Sequence, residues 1–268
     1  MKLALGQVVT SEDKEVNLRK GVAIIRKAAK NGADLLILPE LFMAYREFAA
    51  PATSFAETAE SLSGPFVKSM ASAAKEAGIH VAFGTIESSK LKRLVYNTVV
   101  MLGPDGSLLG HHRKVQLFDS FGYRESSRFA PGPELEKPFR TPIGTMGMMT
   151  CYELRFPEIA RMLALEGAEV LVVPTAWVSG RMKEDHLRVL ARARALENTV
   201  FLAVACQTGR NFTGRSLIVD PFGVPLCDAG DEEGLIVAEI DLSRIARVRR
   251  ILPGIHQIRR DLPSAFWK

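Results

Sequence analysis

The run GTMGMMTCYELRFPE, residues 144–158, reads as a strand over Thr145–Thr150, then a tight turn, then a helix near Phe156–Glu166 that Gly167 stops. A further apolar strand at Val170–Val173 completes a strand-helix-strand unit. Working outward, a helix is expected at Lys183–Asn198 and a strand at Phe201–Gln207, followed by a hairpin pairing Ser216–Val219 with Val224–Leu226 around Pro221-Phe222-Gly223. Towards the N-terminus, Leu3–Val9 reads as a buried strand. Ser11 is expected to cap a helix with an apolar stripe of Val16, Leu18, Val22, Ile25 and Ala29, ended by Asn31-Gly32. Asp34–Pro39 is a second strand, Pro65–Ala77 a helix closed by Gly78, and Val81–Ile86 and Val95–Leu102 further strands. Pro104-Asp105-Gly106 turns the chain into Leu108–His112. Strands thus alternate with helices in some places and form hairpins in others, which predicts an α/β fold with mixed sheets, helices packed outside, and a single domain over 1–268. Segments 44–64 and 115–142 lack clear periodicity, and long ordered loops often carry function.

The 268 residues are 47% hydrophobic and 24% charged, which suits a soluble globular chain with a sizeable core. A net charge of +5 without dense basic blocks gives no nucleic-acid footprint, and the basic tail RIARVRRILPGIHQIRRD (244–261) lacks interleaved aromatics for stacking on bases. Cys151, Cys206 and Cys227 are odd in number, scattered and without a CxxC, so neither a disulfide framework nor a thiolate metal cage is indicated. The N-terminal apolar stretch meets TSEDKE too soon for a signal peptide, and apolar runs such as VFLAVAC are too short to span a bilayer. A cytoplasmic protein with no membrane partner is expected.

Three apolar runs end in a reactive side chain: LLILP in Glu40, SLLGHHR in Lys114 and MGMMT in Cys151. Because α/β sheets bind ligands beyond the carboxyl ends of their strands, these three groups can converge despite their separation in sequence. Singly, each has an ordinary structural explanation: solvated carboxylate, solvated lysine, buried thiol. A thiol of pKa about 8.5 is only partly ionised at neutral pH, so a cation and a general base beside it would make it a nucleophile. A cysteine-histidine pair is the rival, but His80, His111, His112, His186 and His256 sit in no recognisable signature. His111 and His112 are adjacent on a strand and face opposite ways, which argues against one metal held by both. Arg155, close after Cys151, could bind a substrate carboxylate or form a structural ion pair with Glu158 or another acid, and the structural reading is favoured. Arg192 and Arg194 read as framework and solvent-facing respectively.

The motifs LLILPELF around Glu40, HHRKVQLFD around Lys114 and GTMGMMTCYELRFPE around Cys151, with GAEVLVVPTAW, RARALEN and SLIVDPFG downstream, resemble the nitrilase superfamily of carbon–nitrogen hydrolases. The resemblance implies a four-layer αββα sandwich with a Glu-Lys-Cys centre. It gives ESSRFAPG the family's second glutamate, Glu125, to position Lys114 and the substrate amine or to raise the pKa of Glu40; a plain loop-bracing ion pair is the alternative. It makes the Tyr152 N–H an oxyanion donor beside Lys114, requires no metal or organic cofactor, and packs the C-terminal tail across a subunit interface in a homodimer or larger homo-oligomer. CYELRFPE looks more like the amidase branches, including ω-amidases and deaminated-glutathione amidases, than the true nitrilases with CWEN. A small aliphatic amide is the substrate so implied, with N-carbamoyl amines, nitriles and a non-catalytic scaffold as alternatives. Tyr45, Phe118, Tyr152, Trp177 and Arg46 are the candidates for the pocket wall, each otherwise a core or framework residue.

Overall fold

The computed structural model describes residues 1–47, 50–91 and 93–259. In chain order these form β1 (Lys2–Gln7), α1 (Lys14–Lys30), β2 (Leu35–Ile37), α2 (Ala52–Thr58), α3 (Pro65–Ala77), β3 (His80–Glu87), β4 (Tyr96–Leu102) and β5 (Leu108–Arg113). A short hairpin of β6 (Asp119–Ser120) and β7 (Tyr123–Arg124) leads to β8 (Phe139–Thr141), β9 (Gly144–Met148), α4 (Pro157–Leu165), β10 (Val170–Thr175), α5 (Lys183–Asn198) and β11 (Phe201–Cys206). The chain closes with β12 (Leu217–Val219), β13 (Pro225–Asp228), β14 (Gly234–Glu239) and α6 (Ser243–Ile251). The end of the basic tail, from Arg260, lies outside the described residues, so the expected interface packing of that segment does too.

Two six-stranded sheets result, ordered β14-β1-β2-β3-β4-β5 and β13-β12-β11-β10-β9-β8. Side-chain alternation explains why they stack. Leu3, Leu5, Leu35 and Ile37 meet Met146, Met148, Val170 and Val172 between the sheets. Their alternates on the first sheet, Ala4 and Leu36, face the layer of α1 and α3 with Phe42 and Phe66. Leu171 and Val173 face the α4 and α5 layer with Leu163 and Leu187. Both faces of each central strand are therefore buried, which is why these strands read as continuous apolar runs. The order of layers is helix, sheet, sheet, helix, as the αββα expectation has it.

The first two sheet neighbours of β1 and β3 around β2 run parallel, as do β9, β10 and β11. β5 follows two antiparallel steps from β3 and so points the same way. A parallel bridge between Val8 and Gln207 aligns the two sheets, which brings the carboxyl ends of β2, β5, β9 and β10 to one edge.

Local details differ from expectation at the first helix. Asp13, not Ser11, is the N-cap, its carboxylate accepting from the Glu15 N–H at 2.8 Å. Ser11 is instead held by the buried Asn17, whose amide bonds the Ser11 backbone twice and the Met43 carbonyl once. Asn17 takes the core side that the stripe assigned to Val16, which is 36% exposed. Strand β14 was not expected; its partner β1 lies at the other end of the chain.

Candidate active site

Glu40 lies three residues beyond β2, Lys114 directly after β5, and Cys151 three residues beyond β9. All three are buried, as is Glu125 on the 3-10 turn Glu125–Ser127. The Lys114 ammonium donates to Glu40 Oε1 at 2.8 Å and stands 2.9 Å from Glu125 Oε2. Asn97, on β4, donates the same Nδ2 group to Glu40 Oε1 at 2.8 Å and to Glu125 Oε1 at 3.0 Å. The Phe118 N–H holds the other Glu125 oxygen at 2.6 Å, so Glu125 both pairs with Lys114 and braces the loop. Glu40 is anchored from the second sheet: the Ala176 N–H donates to its Oε2 at 2.7 Å and the Gln207 side chain to its carbonyl at 2.7 Å.

Cys151 opens a 3-10 turn, Cys151–Arg155, with φ +46°, a conformation non-glycine residues adopt only when their surroundings impose it. Its thiol lines the same recess as Glu40, Lys114 and Glu125. Burial raises the thiol well above its ordinary value, Glu40 raises it further, and Lys114 only partly opposes them. Burial is the largest cause, and Glu40 acts on the thiol more strongly than Lys114 does. Burial also works against the Lys114 ammonium, but Glu125 and Glu40 outweigh it and hold its pKa well above the lysine range. Burial and Glu40 thus disfavour the thiolate, and Lys114 does not by itself reverse this.

Two recesses share Cys151, Phe118, Ala176 and Val178. One holds Glu40, Lys114 and Glu125 together with Tyr45, Arg46 and Tyr123. The Tyr45 hydroxyl accepts from Asn211 at 3.0 Å, and Arg46 is tied to Glu12 and Thr58. Burial, followed by the negative charge of Glu125, pushes the Tyr123 phenol up to about 12. The other recess is walled by Tyr152, Arg155, Trp177 and Lys183. The Tyr152 and Phe118 rings are 5.0 Å apart, and the Trp177 indole N–H donates to the Lys183 carbonyl at 2.8 Å.

Arg155 departs from its expected role. Among the described residues no carboxylate lies within ion-pair distance of its guanidinium, which sits 4.9 Å over the Trp177 ring and 5.8 Å over the Tyr152 ring. Lys183, only 6% exposed, places its ammonium 3.6 Å from the Phe121 ring centre. Burial and then Arg155 lower the Lys183 pKa. The roles of Arg192 and Arg194 are exchanged: Arg194 is buried and donates to the Leu154 carbonyl at 2.9 Å, whereas Arg192 is exposed. His112 and His111 do face opposite ways, the first to Glu153 at 2.8 Å and the second towards Glu136 at 3.7 Å. Asn97, Tyr123 and Lys183 carried no sequence signal, since a polar residue in a strand or at a helix start has many ordinary uses.

Residues 2–250 match the carbon-nitrogen hydrolase family. The chain belongs to that family. Among curated members, the omega-amidase NIT2 of Mus musculus is 36% identical, the alignment covering 97% of this chain and 96% of the relative. The deaminated glutathione amidase of Escherichia coli O157:H7 is 34% identical over 97% of each chain. The structure of Saccharomyces cerevisiae Nit3, described as a member of branch 10 of the nitrilase superfamily, superposes with a TM-score of 0.86 at 29% identity, covering 97% of this chain and 96% of that one. This carbon-nitrogen hydrolase is thus an αββα member of the nitrilase superfamily and an amidase acting on non-peptide amide bonds.

Proposed function

We propose that the chain hydrolyses a small aliphatic amide through a thioester on Cys151, with Glu40 as the proton carrier. The observation that carries this reading is the contact of one buried ammonium, Lys114, with both Glu40 and Glu125 in the recess that the Cys151 thiol also lines. As Sγ attacks the amide carbon, its proton passes to Glu40, since burial and Glu40 disfavour a free thiolate. The oxyanion that forms is met by the Lys114 ammonium and the Tyr152 N–H. Glu40 returns the proton to the leaving nitrogen, the C–N bond breaks, and ammonia departs. Glu40 next takes a proton from water, which attacks the thioester. The C–S bond breaks, the carboxylate product forms, and the sulfur is reprotonated. Glu125 keeps Lys114 and the loop of Phe118 in register throughout.

The acyl part of the substrate carries an anionic group in this reading. Two neighbouring cations wall the recess next to Cys151: the half-buried Arg155, which meets His186 at 3.4 Å and stacks on Trp177, and the buried Lys183 over Phe121; among the described residues neither has a carboxylate at ion-pair distance. A substrate carboxylate would relieve their mutual repulsion.

Ammonia release from amides and nitriles of matched carbon skeleton, with and without a terminal carboxylate, tests both parts. The expected result is kcat/KM for the amide at least about tenfold above the nitrile, roughly 1.4 kcal/mol of transition-state preference, and highest for the carboxylate-bearing amide. Equal or reversed ratios would move the reaction to nitrile hydrolysis. No acyl-enzyme mass increment on Cys151 during turnover would remove the thioester.

A further inference from the structure

Glu153 stands two residues after the nucleophile and is fully buried. Its Oε1 accepts from the Val115 N–H at 2.7 Å and the Gln116 N–H at 3.3 Å; its Oε2 accepts from the Thr150 N–H at 2.6 Å and from His112 Nε2 at 2.8 Å. A carboxylate has about four acceptor positions, and here all are filled. The acceptor is ionised, so His112 carries its proton on Nε2. Burial would raise the Glu153 carboxyl, but His112 and the amides outweigh it and keep it below the usual carboxylate range.

The donors come from both sheets. His112 lies on β5, two residues before Lys114, and Val115 and Gln116 follow Lys114 immediately. Thr150 follows β9 and precedes Cys151. A residue that merely capped the 3-10 turn would need only the turn's own amides. Glu153 instead grips the chain on either side of Lys114 and joins it to the residue before Cys151, whose left-handed backbone must be imposed from outside.

We propose that Glu153 is a positioning residue that sets the placement of Lys114 against Cys151. The turnover part of its test rests on the amidase reading; the geometry does not.

Glu153→Gln supplies the test, since its NH2 group cannot accept the hydrogen bonds that one carboxylate oxygen now receives. In variant protein with an intact fold by circular dichroism, kcat is expected to fall at least about thirtyfold while KM stays within about threefold, the pattern of misplaced reacting groups. The second readout needs no amide: the pH–rate profile of Cys151 alkylation by iodoacetamide. The charged groups acting on Cys151 or felt from it are Glu40, Lys114 and, from α5, Lys183. Since Lys114 is the one that favours the thiolate most directly, loosening it should displace the profile to higher pH. A folded Glu153→Gln protein with wild-type kcat and an unmoved profile overturns the proposal. If wild-type protein hydrolyses no amide, the amidase reading fails while the alkylation profile still decides this one. If Glu153→Gln does not fold, His112→Leu removes one of the four donors; a fall in kcat of at least about fivefold and the same displacement support the proposal, and no change in either in folded protein overturns it.

Discussion

Gly84 lies directly against Glu40: a β-carbon on Gly84 would stand 2.7 Å from the Glu40 α-carbon and 2.4 Å from the Leu41 nitrogen. The obstacle is backbone, which cannot swing aside. Gly84→Ala should therefore push the Glu40 segment off β3, costing about 1–3 kcal/mol of stability and lowering kcat at least about tenfold. Urea unfolding and ammonia release measure the two effects. Wild-type kcat in a destabilised variant would show that the Glu40 carboxylate does not depend on this contact.

Lys114→Arg is expected to lose at least about a hundredfold in kcat. A planar guanidinium cannot occupy a site built to bring one compact ammonium to Glu40, Glu125 and the oxyanion together. Steady-state kinetics with the wild-type circular dichroism spectrum as control decide it; near-normal kcat would leave Lys114 a structural role.

The raised thiol gives a pH signature. Because the native Cys151 stays protonated where a free thiol would ionise, alkylation by iodoacetamide should keep accelerating through pH 9, roughly the ordinary thiol range, with no plateau near neutrality. Cys206 is likewise raised by burial. Above the ordinary thiol pKa the unfolded chain ionises both and the native state does not, so the native state binds more protons and stability falls as pH rises. Urea midpoints from pH 7 to 10 should decline, less steeply in Cys206→Ala; equal slopes would contradict the assignment.

Lys183→Met should act selectively. For a carboxylate-bearing amide kcat/KM is expected to drop at least about tenfold, mostly through KM, with less than about a threefold change for its neutral analogue. Equal losses on both would mean that Lys183 supports the recess and does not recognise charge.

Much of the fold was readable because its central strands are buried on both faces and its helices end in strong stops. Pro65–Ala77 terminates at Gly78, which takes a left-handed φ of +66°, and Lys183–Asn198 has the expected bounds. The three strand-end groups were readable for a related reason: a charged or nucleophilic residue ending an apolar run is locally conspicuous. Where position depends on distant partners the sequence was silent. β14 pairs with β1 across the length of the chain, β6 and β7 have two residues each, and α2 has seven, too few to establish a period. Asn97 looks like any strand residue until two carboxylates from other elements arrive at its amide. Arg155 next to Glu158 suggested a local ion pair, but the cation turns towards aromatic rings from β10's end and the nucleophile turn.

Glu40 and Lys114 belong to one sheet and Cys151 to the other, while β14, which closes the edge of the first sheet, is made almost last. The thiol on one side and the carboxylate and ammonium on the other, which the proposed mechanism needs together, therefore come from separate sheets. The proposed chemistry requires those sheets to be docked. Under the proposed mechanism a nascent or partly opened molecule would not turn over amides, and ammonia release would gauge how many molecules have finished assembling.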